Sequence, residues 1–120
     1  MISITKRFSF DAAHHLPNYV GPCHNLHGHR WVLDVEVSGE ISKQSGMIMD
    51  FSILKKIIND LIIDKLDHHC LNDEYPNPTA EMMVLCFSQE LAPPLKAQGV
   101  DLVRLRLYET PEAFCEWRNI

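Results

Sequence analysis

The sequence predicts an α+β domain: one sheet of four antiparallel strands with two helices on one face, in the order β-β-α-α-β-β. Three observations predict it. Apolar residues alternate with polar ones over 2–14 and 27–38, the period of strands buried on one side. From about 51 to 91 they recur at helical spacing behind residues that cap helices. Alternation then returns over 101–109, and a short strand-like run follows at 113–118.

The first run sets Ile2, Ile4, Phe8, Phe10 and Ala12 on one face, interrupted by Lys6, and Ser3, Thr5, Arg7, Ser9 and Asp11 on the other. His14 continues the apolar parity. Residues 16–25 hold Pro17, Asn18, Gly21, Pro22 and Asn25 and form a loop that presents Cys23. From His27 the alternation resumes, with His29, Trp31, Leu33, Val35 and Val37 on the same face and Val32 as the exception. Gly39 to Gly46 is polar, a turn or bulged hairpin connection. Asp50 and Ser52 are both plausible N-caps for a helix that buries Phe51, Leu54, Ile58, Leu61 and Ile62 and runs to about Leu66. Residues 70–78 are a loop. Thr79 caps a second helix carrying Met83, Val84, Phe87 and Leu91, which Pro93-Pro94 should interrupt. In the third strand Val103, Leu105, Leu107 and Glu109 share a face, so a carboxylate ends an apolar row.

The chain has 120 residues, enough for one domain over 1–120 with one core. A net charge of −5 argues against a sequence-independent grip on nucleic acid, which needs clustered Lys and Arg. No apolar leader and no run of membrane-spanning length occurs, so the expectation is a cytoplasmic protein without a membrane partner. Cys23, Cys70, Cys86 and Cys115 form no C-x-x-C pair, and reduced thiols are the better reading.

The chemistry-bearing residues gather in a few places. His27 and His29 are two apart and leave a strand on the same face, with Gly28 bare between them. Together with His14 they make three imidazoles at one end of a sheet. This is the donor set of a catalytic zinc with an open position. The alternative is a structural cluster in which each imidazole finds a hydrogen-bond partner. Cys23, just upstream, is a candidate nucleophile or base, since a thiol near a metal and imidazoles ionises more readily. Asp67-His68 reads either as a carboxylate orienting an acid–base imidazole or as the polar decoration of a helix C-terminus. The second is the simpler reading of those two residues taken alone. Glu109 reads either as an anchor for a cationic or amide-like ligand edge or as a strand-end glutamate turned to solvent. Taken alone, these residues suggest a small metal-dependent enzyme with a thiol and leave its substrate undefined.

A set of motifs extends this. Phe10-Asp-Ala-Ala-His14, Cys23-x-x-x-His27-Gly28-His29, Gly46-x-Ile-x-Asp50-Phe51, Leu66-Asp67-His68-His69-x-Leu-Asn72, Asn77-Pro78-Thr79-x-Glu81 and Glu109-Thr110 span nearly the whole chain. Together they resemble the 6-pyruvoyl-tetrahydropterin synthase family. The nearest likeness is its bacterial branch, which makes 6-carboxy-5,6,7,8-tetrahydropterin for queuosine biosynthesis.

The resemblance implies the tunnelling fold and a catalytic Zn²⁺ on His14, His27 and His29. It implies Cys23 as thiolate base, Asp67 and His68 as its proton-handling partners, and Glu109 holding the amino-pyrimidine edge of a pterin. The implied reaction converts 7,8-dihydroneopterin triphosphate to 6-carboxytetrahydropterin, acetaldehyde and triphosphate. The implied assembly is a homohexamer with sites between subunits. His15, His24, His69 and Cys70 receive no role, and Cys70 stands where relatives often carry an aromatic residue. The three residues between Cys23 and His27 favour the carboxy branch over the pyruvoyl branch, which resembles it but has a longer insertion there. A folate-serving branch carries a glutamate near the cysteine position, which is absent here. A non-catalytic pterin- or metal-binding relative is the other reading, and the presence of Cys23, Asp67 and His68 favours the enzyme.

Overall fold

Strand β1 (Ser3–His14) and strand β2 (His27–Ser38) pair antiparallel along their full lengths, from Ser3 opposite Ser38 to His14 opposite His27, in a computed structural model that describes residues 1–120. Their equal lengths and matching alternation bring both apolar rows to the same face. Strands β3 (Asp101–Thr110) and β4 (Ala113–Arg118) complete a sheet of order β1-β2-β3-β4. The expected fold class is therefore found, with each strand close to its expected bounds.

The polar stretch after Ser38 does not make a hairpin. It turns at Gly46, whose N–H bonds the Ser42 carbonyl at 2.8 Å and whose φ of 73° suits glycine, and leads into a helix. Of the two candidate caps, Asp50 serves: its carboxylate accepts from the Ser52 N–H at 2.8 Å. Helix α1 (Phe51–Ile58) passes through a π turn (Asn59–Ile63) into a last turn, α2 (Asp64–Leu66), forming one rod. The fully buried residues of the rod are Leu54, Ile58, Ile62 and Leu66, at strict four-residue steps. On a straight α-helix three such steps drift about 120° around the axis. The π turn, with the Asp64 N–H bonded to the Asn59 carbonyl, absorbs most of that drift and keeps one stripe facing the sheet. Phe51 and Leu61, expected in this stripe, are instead 50% and 37% exposed. Phe51 is the first residue of the rod, and Leu61 lies in the π turn that rotates the phase.

Helix α3 (Ala80–Ala97) is capped by Thr79, whose hydroxyl accepts from the Met82 N–H at 3.1 Å. It runs unbroken through Pro93 and Pro94, contrary to the expected interruption. Proline φ is already helical, and the carbonyls deprived of donors belong to Gln89 and Glu90 on the exposed and half-exposed side. Leu91 and Leu95, both fully buried, anchor the helix on either side of the pair. The β2–β3 register shifts between Glu36 and Val37, which face Arg104 and Leu102, so Val103 is the extra residue of a bulge. Leu102 therefore takes the core position expected for Val103.

The core lies between the sheet and the two helical rods, with Phe10, Trp31, Leu33, Phe87 and Leu105 at its centre. The opposite face of the sheet carries ion pairs. Arg7 grips Asp34 through two bonds of 2.7 and 2.9 Å, and Arg104 bridges Glu36 and Glu116. Arg104 holds the Glu36 carboxyl below the usual carboxylate range, and Arg106, bonded to Glu116 at 2.8 Å, does the same for Glu116 with help from Arg118 and Arg104. Beyond Leu66 the chain runs beside β1: the His68 N–H donates to the Asp11 carbonyl at 2.6 Å and the Ala13 N–H to the His69 carbonyl at 3.2 Å. No helix is long and apolar enough to cross a membrane.

Candidate functional site

The apolar rows of β1 and β2 end side by side in His14, His27 and His29, and the pairing of His14 with His27 is what makes them converge. Glu109, ending the row of β3, joins them. One ligand atom from each of the four lies within 4.8 Å of every other. His14 is fully buried, and the edges of His14 and His29 meet Trp31 at ring separations of 5.1 and 5.5 Å.

The hydrogen bonds define which nitrogens face inward. His14 Nδ1 donates to the Pro78 carbonyl at 2.8 Å and His27 Nδ1 to the Asn25 carbonyl at 2.7 Å. With both rings neutral, each then presents an Nε2 lone pair, and these two Nε2 atoms stand 3.1 Å apart. Two lone pairs at that distance repel unless a proton or a cation lies between them. His29 Nε2 is buried without a hydrogen-bond partner. Burial pushes the pKa of His14 and of His29 below the ordinary histidine value, favouring the neutral, ligand-competent form. Glu109 Oε1 is 3.3 Å from His14 Nε2 and 3.5 Å from His29 Nε2. The donor set fits a metal ion: nitrogens oriented by backbone carbonyls on their far side, one orphaned buried nitrogen, and a carboxylate at the mouth.

Asp67 and His68 make a second group, with Asp11. Asp67 Oδ1 accepts from the Asp11 N–H at 2.9 Å, and its other oxygen is 3.1 Å from His68 Nδ1. The backbone bond from Asp11, aided by His68, holds the Asp67 carboxyl below its ordinary pKa. His68 has φ +61°, a left-handed conformation unusual for a side chain of its size, and its imidazole is 77% exposed. Asp11 itself pairs with Arg30 across the strands at 3.1 and 3.3 Å. Asp11 and Arg30 have the parity opposite to the histidine row, so this group lies on the other face of the sheet. Here Gly28 leaves bare backbone in a cleft of about 480 Å³ walled by Asp11, His68, His69 and Cys70. A Cβ at Gly28 would meet nothing closer than the Ala12 carbonyl at 3.9 Å, so packing within the chain does not demand glycine there.

Cys23 is half-buried in a short 3-10 turn (Pro22–His24) and belongs to neither group. Its carbonyl accepts from the Leu16 N–H at 2.9 Å, which folds the loop back beside the end of β1. One chain thus brings together His14, His27, His29 and Glu109, and separately Asp67 with His68. It does not unite either set with Cys23. The parts that sequence reasoning missed are Asp11, Pro78 and Asn25. Each acts through strand register or a backbone carbonyl, which leaves no compositional trace.

The fold and this metal-competent site define a class. The chain matches the profile of the 6-pyruvoyl tetrahydropterin synthase family over residues 3–119, and it belongs to that family. It is 34% identical to the 6-carboxy-5,6,7,8-tetrahydropterin synthase of Haemophilus influenzae over 99% of this chain and 100% of that one. It is also 42% identical to a dihydroneopterin monophosphate aldolase of Pyrococcus furiosus over 91% of this chain and 90% of the relative. Among solved structures, the Caenorhabditis elegans 6-pyruvoyl tetrahydropterin synthase superposes with a TM-score of 0.83 at 26% identity, covering 99% and 96% of the two chains.

Proposed function

We propose that residues 1–120 act as one catalytic domain in queuosine biosynthesis. It converts 7,8-dihydroneopterin triphosphate and water to 6-carboxy-5,6,7,8-tetrahydropterin, acetaldehyde and triphosphate. The observation that carries this reading is the convergence of His14, His27 and His29, with opposed Nε2 lone pairs and one orphaned nitrogen, in a chain similar end to end to a carboxytetrahydropterin synthase. Held by those three histidines, Zn²⁺ supplies Lewis-acid stabilisation of negative charge developing on the substrate's side-chain oxygens.

The chain's own groups do the rest. Glu109 accepts two charge-assisted hydrogen bonds from the amino-pyrimidine edge of the pterin and so orients it. The Cys23 thiolate removes a proton beside the reacting carbon. Asp67, fixed by the Asp11 N–H, holds His68 through Nδ1 and leaves Nε2 free to pass protons. Because the Asp67–His68 pair and the histidine set occupy opposite faces of one sheet, we propose that a working site combines groups of different subunits in a homohexamer. The free edge of β4 and the N-terminal half of the β1 edge offer unpaired backbone for such assembly. The setting is the cytoplasm, with no nucleic acid or membrane partner.

The test is a product assay. Zinc-replete protein is incubated with 7,8-dihydroneopterin triphosphate, and pterins and acetaldehyde are identified by mass spectrometry. Carboxytetrahydropterin with equimolar acetaldehyde supports the proposal. A 6-pyruvoyl product places the chain in the pyruvoyl branch with the same site. No turnover with zinc bound makes it a non-catalytic pterin- and metal-binding relative. Turnover of dihydroneopterin monophosphate instead aligns it with the Pyrococcus relative.

A further inference from the structure

We infer that Asn72 is a positioning residue that holds the metal-ligand end of β1 in register with the segment carrying Asp67 and His68. The Asn72 side chain accepts from the His15 N–H through Oδ1 and donates to the His15 carbonyl through Nδ2, both at 2.9 Å. A carboxamide has the donor and acceptor of a peptide group, so these two bonds reproduce what a neighbouring strand would provide. They fall where no strand is available. His15 follows directly on β1, and its backbone groups face the outer side of that strand, which is the edge of the sheet and has no neighbouring strand.

Asn72 completes a series. Along the outer edge of β1, the N–H of Asp11 goes to the Asp67 carboxylate and its carbonyl to the His68 N–H. The Ala13 N–H goes to the His69 carbonyl, and both backbone groups of His15 go to Asn72. Residues 11, 13 and 15 are the alternate positions whose backbone faces that edge. The segment from Asp67 bends at the left-handed His68, so it cannot present a regular row of backbone groups, and side chains serve at both ends. Asp67 is the upper clamp and Asn72 the lower. The lower one fixes the residue adjoining His14, whose ring has no freedom to compensate because it is fully buried and bonded to Pro78. Freeing His15 lets the strand end shift relative to His27 and His29. Partners bonded directly to a metal's ligands typically govern affinity by about tenfold to a hundredfold, and Asn72, which acts on the residue next to a ligand, is expected at the lower end of that range.

This inference rests on the three-histidine metal reading, and the experiment separates the two. Affinity for Zn²⁺ is measured by competition with a chromophoric chelator, and the visible spectrum of the Co²⁺-loaded protein reports ligand geometry. The proteins compared are wild type, Asn72→Ala, and Asp50→Ala, which removes a helix cap remote from the site. Asn72→Ala should bind Zn²⁺ at least about tenfold more weakly with an altered Co²⁺ spectrum. Asp50→Ala should lower the melting temperature without changing either readout. If Asn72→Ala does not fold, Asn72→Asp replaces it, keeping the acceptor for the His15 N–H but having no N–H to donate. Wild-type affinity and spectrum in the Asn72 variant, or equal changes in Asp50→Ala, overturn the positioning role while leaving the metal site standing. A wild-type protein that binds neither ion overturns both.

Discussion

Replacing His27 by alanine separates what the three imidazoles do for a metal from what they do for the fold. In the metal-free protein, His27 Nε2 faces His14 Nε2 at 3.1 Å, while its other nitrogen makes one exposed bond to the Asn25 carbonyl. Alanine removes an unfavourable contact and a hydrogen bond worth about 1 kcal/mol or less. The metal-free melting temperature should therefore change by under about 4 °C, given an unfolding entropy of about 0.25 kcal/mol/K at this chain length. The loaded protein behaves differently. Free Zn²⁺ at about a thousand times its dissociation constant stabilises the wild type by about 4 kcal/mol, a rise of about 16 °C. Bound about a thousandfold more weakly, the same ion adds about 0.4 kcal/mol, or about 2 °C. Differential scanning calorimetry of both proteins, with chelator and with zinc, reads all four values. A variant that keeps a zinc-induced rise above about 12 °C refutes the three-histidine site. A metal-free variant that loses far more than about 1 kcal/mol refutes the claim that His27 contributes little to the fold without metal.

Three further outcomes follow from the same geometry. Cys23→Ala should retain the fold and full zinc content while turnover falls at least about a hundredfold; loss of zinc stoichiometry would remove Cys23 from the base role, since it stands outside the histidine group. The metal-free protein should lose stability as the pH falls below about 6.5. Burial lowers the folded pKa of His14 and His29, so in that window the unfolded chain binds protons that the folded chain refuses. Melts at pH 7.5 and 5.5 check this, and a pH-independent midpoint contradicts it. Ile62→Ala, at a fully buried position inside the π turn, should cost about 3 kcal/mol in urea unfolding; a loss below about 1 kcal/mol would mean that the π turn does not serve to seat this stripe.

Much of the architecture was legible in the order of residues. Strand alternation depends only on the two-residue period of the backbone, so β1, β2 and β3 came out within a residue of their bounds, as did the short run of β4, the cap at Thr79 and one of the two candidate caps, Asp50. The expected break at Pro93-Pro94 failed because a rule about local hydrogen bonds met a helix held from both sides by Leu91 and Leu95. The expected core place of Val103 failed because a bulge shifts parity, and a bulge reflects the pairing of two distant strands.

The same division holds for the site. By itself the sequence determined which residues are candidates for the chemistry: three imidazoles of one parity, a thiol in a loop, a carboxylate–imidazole pair after a helix, and a glutamate closing an apolar row. These follow from residue type and local period. Only the tertiary structure decided how they meet. It set His14 against His27 and drew Glu109 to within 3.3 Å of His14. It placed Asp67 and His68 on the opposite face, and it made Asn72 the partner of His15. Register and face are set by contacts between residues far apart in the chain, where burial of the whole core outweighs any local preference.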